Sequence, residues 1–160
     1  MIEVFHGTDR PFERFDESKV GSGDGKDKGG WGIYFSNSKE VAGLYSTKHG
    51  FVKRFGIPNG PYLALDSMLD SGEAYQILEE LKDLNIDESE IEEFESDILG
   101  YLEDTTNKQM YVWLSYVLGS PKAASKFYGS LGYEGTTFED KWSIGATNYV
   151  IFDTSSIQYL

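Results

Sequence analysis

The sequence contains no cysteine, which excludes disulfide frameworks and thiolate metal sites outright. His6 and His49 are its only histidines, too few for a histidine-rich zinc centre, and no metal is expected. Basic residues are scarce as well. Fourteen Lys and Arg stand against 27 Asp and Glu, a formal net charge of −13. Binding a phosphate backbone needs a concentrated basic surface, so direct nucleic-acid binding is not expected, whereas a basic protein partner is. No run approaches the roughly 18 apolar residues of a membrane span. The opening Met1-Ile-Glu-Val-Phe-His-Gly-Thr lacks the basic start and apolar stretch of a secretion signal. The expectation is a cytoplasmic protein with no membrane partner.

What is present argues for a packed core. Hydrophobic residues make up 39% of 160, and aromatic residues 15%, a composition that disordered chains do not have. No internal repeat and no long linker divides the chain, so residues 1–160 read as a single domain.

The elements fall into an order. Ile2 to Phe5 reads as a short strand ending at His6-Gly7-Thr8, with Phe12, Phe15 and Asp16 in the polar stretch behind it. Val20 to Gly32 carries six glycines among Asp and Lys and reads as a mobile surface loop. It is not a phosphate loop, because Asp27 follows Gly25-Lys26 where Ser or Thr is required and the spacing from Gly21 is one residue short. Ile33-Tyr34-Phe35 is a strand, and Ser38 to Tyr45 a helix with Ser38 as its cap. Phe51 to Phe55 and Tyr62 to Leu65 are strands around a Pro/Gly turn.

The middle is helical and acidic, with fourteen Asp and Glu against Lys82 alone between Asp70 and Asp104. Ile77, Leu78, Leu81 and Leu84 form one apolar stripe, and Ile91, Phe94, Ile98 and Leu102 a second, started by a capping box of Asp87 and Glu90. Met110, Trp113 and Val117 form a third. Ser120-Pro121 starts a last helix with Ala124, Phe127, Tyr128 and Leu131 inward and Gly132 as its stop. Tyr149-Val-Ile-Phe closes the chain as a central strand. Strands at both ends and helices between predict an α+β domain whose first and last strands share a sheet.

Three segments carry chemistry: His6-Gly7-Thr8 at a strand end, Gly30-Trp-Gly-Ile-Tyr-Phe-Ser36, and Asn148-Tyr-Val-Ile-Phe-Asp153. Taken singly each is ordinary: a turn histidine, a strand aromatic, a core strand. In this order they resemble the ADP-ribosyltransferases of the poly(ADP-ribose) polymerase and diphtheria-toxin branch. That branch has a His-Gly-Thr/Ser strand, a Gly-x-Gly-Ile-Tyr-Phe segment and a closing Glu-Tyr-Val-Val-Phe-Asp-like strand. Tyr45, eleven positions after Tyr34, matches the branch's second nicotinamide-stacking tyrosine. The resemblance covers both ends, roughly half the chain, and implies a split-sheet transferase fold with NAD⁺ as co-substrate.

It also implies roles. Tyr34 and Tyr45 would sandwich the flat, cationic nicotinamide by stacking and cation–π attraction. The Gly7 backbone would pair with its carboxamide, where a side chain would be in the way. His6 would donate to a ribose hydroxyl. Thr8, Phe35, Ala42 and Asn148 are assigned to the same site. Nicotinamide would leave through a transition state that builds positive charge on the ribose, which a carboxylate stabilises. Here the chain departs from the pattern, because Asn148 stands where the branch has its glutamate. An amide can hydrogen-bond a hydroxyl but carries no charge and is no base. Glu139 and Asp140 lie shortly before it, and Leu131 to Asp140 resembles a segment of small phage anti-CRISPR transferases that use an aspartate there. Asp140 is the catalytic acid this resemblance implies, with mono-ADP-ribosylation of a protein as the outcome. An NAD⁺ glycohydrolase toxin and a degenerate NAD⁺-binding or charge-mimicking blocker are the alternatives. The acidic middle reads either as a solvated helical face or as a dock for a basic, nucleic-acid-binding target.

Overall fold

The computed structural model describes residues 1–9, 14–20, 29–45 and 50–160. Seven strands form one sheet: β1 (Ile2–Thr8), β2 (Ile33–Ser36), β3 (Phe51–Ile57), β4 (Tyr62–Ala64), β5 (Gly135–Glu139), β6 (Thr147–Ile151) and β7 (Gln158–Tyr159). Their order is β4-β5-β6-β2-β1-β3-β7. All neighbours are antiparallel except β4 and β5. The first strand and the last long strand do share this sheet, and β6 lies inside it.

The sheet is split in character. β1 pairs with β3 from Ile2↔Ile57 to Thr8↔Phe51, and β2 with β6 from Ile33↔Ile151 to Ser36↔Asn148. Between these two ladders the register holds a single pair, Phe5↔Ser36. The two ladders are therefore joined in register at one residue pair.

Helices fill the middle: α1 (Lys39–Leu44), α2 (Ser71–Asp83), α3 (Glu88–Glu93), α4 (Asn107–Leu118) and α5 (Pro121–Ser130). Their ends are chemically marked. Asp70 caps α2 by accepting the Glu73 N–H at 3.1 Å. Thr106 and Gln109 form a reciprocal capping box on α4, and Gly119 ends that helix with φ at 101°. Ser120 caps α5, with Pro121 in its first turn.

Two cores follow from the alternation of strand side chains. On one face Ile77, Leu78 and Leu81 of α2, Met110, Tyr111 and Leu114 of α4, and Ala124, Phe127 and Tyr128 of α5 pack onto Leu63, with Phe138 at their margin. On the other, Val4, Ile33, Phe35, Phe55, Ile57 and Ile151 form a smaller cluster.

Several expectations need correction. Leu84 is exposed, because it sits at the C-terminal cap of α2 past the last inward turn. The stripe Ile91, Phe94, Ile98 and Leu102 is not one regular helix: α3 passes into a π turn over Phe94–Ile98 and a 3₁₀ stretch over Leu99–Asp104. Phe94 and Ile98, four residues apart, both remain inward. Asp87 makes no side-chain cap, so its capping box with Glu90 does not form. On α4 the buried face is Met110, Tyr111 and Leu114, with Trp113 and Val117 only partly covered. Gly29 to Gly32 is buried rather than a surface loop. The rest of that expected loop, 21–28, lies outside the described residues, as do Phe12 and His49.

Candidate active site

The register sets which groups can meet. Tyr34, Ser36, Phe138 and Asn148 alternate onto the helical face, since Ser36 pairs with Asn148 and Asn148 with Phe138. Here Ser36 and Asn148 are buried, at 1% and 2% exposure, in the middle of the sheet. Next to them, past the end of β5, lies Asp140, 9% exposed. Asn148 Nδ2 donates to Asp140 Oδ1 at 3.0 Å. The other oxygen, Asp140 Oδ2, accepts the N–H groups of Trp142 at 2.9 Å and Ser143 at 3.0 Å. Asp140 N–H in turn donates to the Ala146 carbonyl at 3.0 Å, which closes the turn on itself. Asn148 Oδ1 is buried and has no partner among the described residues.

Tyr45 completes this corner. It caps the C-terminus of α1, a helix laid against β1, β2 and β3. Burial raises its hydroxyl pKa, and the negative charge of the nearby Asp140 adds to the rise. Glu139, the other acid near Asn148, points the opposite way and is exposed, with its N–H donated to Asp66 Oδ2 at 3.0 Å.

Tyr34 is held at the far end of its ring. Its hydroxyl accepts the Gly29 N–H at 2.7 Å and donates to the Gly30 carbonyl at 2.9 Å. That glycine segment is itself clamped. Trp31 N–H donates to the Tyr111 hydroxyl at 2.9 Å, and Ser125 Oγ donates to the Trp31 carbonyl at 2.7 Å. Gly30 takes φ of 105°, which a side chain would oppose.

His6 stands on the other face. Its ring packs among Phe15, Phe35 and Phe55 at centroid distances of 5.1, 5.6 and 6.3 Å. Nδ1 donates to the Tyr34 carbonyl at 2.6 Å, directly across the strand junction. A carbonyl only accepts, so Nδ1 carries the proton. Burial holds the imidazole pKa below its ordinary value, against the opposing pull of that hydrogen bond. The ring is therefore neutral and Nε2 is an acceptor.

Gly7 and Thr8 lie on β1 beyond Phe5, paired with Val52 and Phe51 on their β3 side. Phe35, assigned to the site by resemblance, is instead core on the His6 face, and Ala42 is buried in α1. The structure thus gathers Tyr45, Asp140 and Asn148, sets Tyr34 beside them on the same face, and ties His6 to Tyr34 from behind. Sequence reasoning missed Ser36, Phe138 and the two N–H groups that hold Asp140. Ser36 carried a readable signal, since a residue two past Tyr34 on a strand must share its face.

An α+β fold with one seven-stranded sheet from both chain ends and helices between is that of an ADP-ribosyltransferase. The chain belongs to the family described as ADP-ribosyltransferase in polyvalent proteins, which matches residues 1–158. No curated protein and no solved structure matches it. The family uses NAD⁺ as co-substrate. The residues present fit that molecule on two counts: the buried, unpartnered Asn148 Oδ1 calls for a hydroxyl donor such as a ribose carries, and the partly covered rings of Tyr34 and Tyr45 offer faces to a flat cation. Among the described residues no group of three or more acidic, histidine or cysteine side chains could hold a metal, and no helix is long and apolar enough to cross a membrane.

Proposed function

We propose that the chain is an NAD⁺-dependent mono-ADP-ribosyltransferase acting on a protein. The observation that carries this reading is the buried Asp140–Asn148 pair, in a chain whose family match runs from residue 1 to 158. NAD⁺ supplies the ADP-ribose: its ribose C–N bond breaks, the electron pair leaves with neutral nicotinamide, and the acceptor's nucleophile bonds to that carbon and gives up a proton. Asp140 provides the negative charge that opposes the positive charge building on the ribose. Tyr34 and Tyr45 hold the nicotinamide, the Gly7 backbone and Thr8 hold its carboxamide side, and His6 positions Tyr34 from behind through its hydrogen bond to the Tyr34 carbonyl.

The acceptor we favour is a basic, nucleic-acid-binding protein. All acids from Asp70 to Asp104 except Glu73 and Glu90 are exposed, so α2, α3 and the turns after them present a strongly negative surface. Resemblance to small phage anti-CRISPR transferases supports the specific reading of an enzyme from a phage or other mobile element, working in the bacterial cytoplasm on a host or defence protein.

Labelled NAD⁺ incubated with the purified protein and a host lysate tests this. A labelled protein band that disappears with Asp140→Ala is the expected result. Label recovered only as free ADP-ribose would make the chain a glycohydrolase, and no turnover would make it an NAD⁺-binding or charge-mimicking blocker.

A further inference from the structure

The transferase reading leaves open which group touches the ribose, and the hydrogen bonds answer it. We infer that Asn148 is the contact residue and that Asp140 is a positioning residue acting through it. This inference rests on the transferase reading and refines its site.

Both oxygens of Asp140 are already engaged. Oδ2 holds two backbone N–H groups, and Oδ1 holds the amide of Asn148. A carboxylate that accepts three hydrogen bonds at 2.9–3.0 Å is fixed in place and cannot turn toward a ligand without giving some of them up. Asn148, by contrast, is half satisfied. Its Nδ2 is anchored on Asp140, which forces Oδ1 to point the other way. There it is buried, 2% exposed as a residue, with no donor among the described residues. A buried acceptor without a donor is a site waiting for one. Ser36, directly across on β2, makes no hydrogen bond to it, and its Oγ accepts from the Ser38 N–H at 3.1 Å.

The arrangement also explains how an amide can stand where the related enzymes place a carboxylate. The negative charge of Asp140 draws on the Nδ2–H bond and shifts electron density toward Oδ1, because hydrogen bonds in series polarise one another. Oδ1 then accepts a ribose hydroxyl more strongly than an isolated amide would. The full charge sits one hydrogen bond behind it, in a site closed to water. Asn148 supplies the contact and Asp140 supplies the orientation and the field.

Exchanging the two side chains separates this from direct contact by Asp140. Asp140→Asn alone removes the charge and should lower kcat by roughly 10²-fold, the scale of losing one group that stabilises transition-state charge. In the double variant Asp140→Asn with Asn148→Asp, the amide at 140 can still accept from Trp142 and Ser143 and donate to the new carboxylate at 148. That carboxylate then offers its second oxygen to the ribose. Recovery of kcat to within about tenfold of the natural enzyme, with an unchanged melting temperature, is the expected result on the scale above. A double variant that melts normally and is as inactive as Asp140→Asn overturns the inference, because Asp140 must then touch the ribose itself. Should the double variant not fold, Asn148→Leu decides. It leaves both N–H bonds to Asp140 in place, so a drop of roughly 10²-fold in kcat supports the inference and a change of under about threefold overturns it. Failure of the transferase reading is seen separately, as absence of NAD⁺ consumption by the unsubstituted protein, and takes the inference with it.

Discussion

His6 Nδ1 donates to the Tyr34 carbonyl at 2.6 Å across the one point where β1 and β2 pair. His6 and Tyr34 therefore act on each other before either acts on a ligand. Only Phe5 and Ser36 are in register here, so a side-chain bond adds to sparse backbone pairing. Its loss should loosen the junction of the two half-sheets.

His6→Ala should cost about 1–3 kcal/mol of stability, the scale of leaving a buried carbonyl without its donor. It also empties space among Phe15, Phe35 and Phe55. His6→Asn keeps a donor near the Nδ1 position and should cost about 1 kcal/mol. Urea unfolding of the three proteins checks this. Equal losses for Ala and Asn would mean that the hydrogen bond contributes nothing.

The same residue gives a pH dependence with a definite sign. Burial depresses the His6 pKa below its ordinary 6.5. Between the two values the unfolded chain binds a proton that the folded chain refuses, so stability rises with pH in that interval. The contribution is level above about 6.5 and declines as pH falls below it. Thermal melts from pH 7.5 down to 5 should show the decline, and His6→Asn should flatten the part due to this group. A variant that tracks the natural protein throughout would assign the acid sensitivity to other groups.

In the proposed site Tyr34 has two separable functions. Its ring offers a face for stacking, while its hydroxyl clamps Gly29 and Gly30. Tyr34→Phe keeps the ring and should raise KM for NAD⁺ about fivefold, the equivalent of one net hydrogen bond of about 1 kcal/mol. Tyr34→Ala removes both and should weaken binding by a further factor of about 3–10, the scale of an aromatic stacking contact. Isothermal titration with NAD⁺ measures both. Identical affinities for Phe and Ala variants would remove the ring from the site.

Much of this was readable from residue order alone. His6-Gly7-Thr8, Gly-Ile-Tyr-Phe and the closing apolar strand each mark a strand of the sheet, and the Ser120-Pro121 start and Gly132 stop of α5 are local backbone chemistry. What the residue order did not show was pairing. Nothing local says that Asn148 bonds to Asp140, or that His6 sits behind Tyr34 with its donor turned inward. Both depend on strand register, which is set by partners far along the chain. The helix at Ile91–Leu102 is a different case: its apolar spacing of three, four and four is helical, yet the backbone passes through a π turn and a 3₁₀ stretch that this spacing does not mark.

Two glycines of the same composition should respond in opposite directions to alanine. At Gly32, just before β2, an added Cβ would lie 2.5 Å from the Ile151 carbonyl oxygen and 2.7 Å from Val150 Cγ1. The oxygen belongs to the β2–β6 ladder, so it cannot yield without disturbing the strand pair that carries Ser36 and Asn148. Gly32→Ala should therefore cost about 3 kcal/mol, the upper range for overpacking, and should also weaken NAD⁺ binding by shifting Tyr34 two residues on. Gly129 lies within α5, exposed, with nothing within 4 Å of where its Cβ would be. Gly129→Ala should gain about 0.5–1 kcal/mol from restricted backbone freedom in the unfolded chain, with no change in activity. Urea midpoints for both variants give the comparison. A Gly32→Ala protein as stable as the natural one would mean that β2 does not lie as closely against β6 as the structure has it. The Asp140–Asn148 geometry, which depends on the same strand pair, would then have to be redrawn.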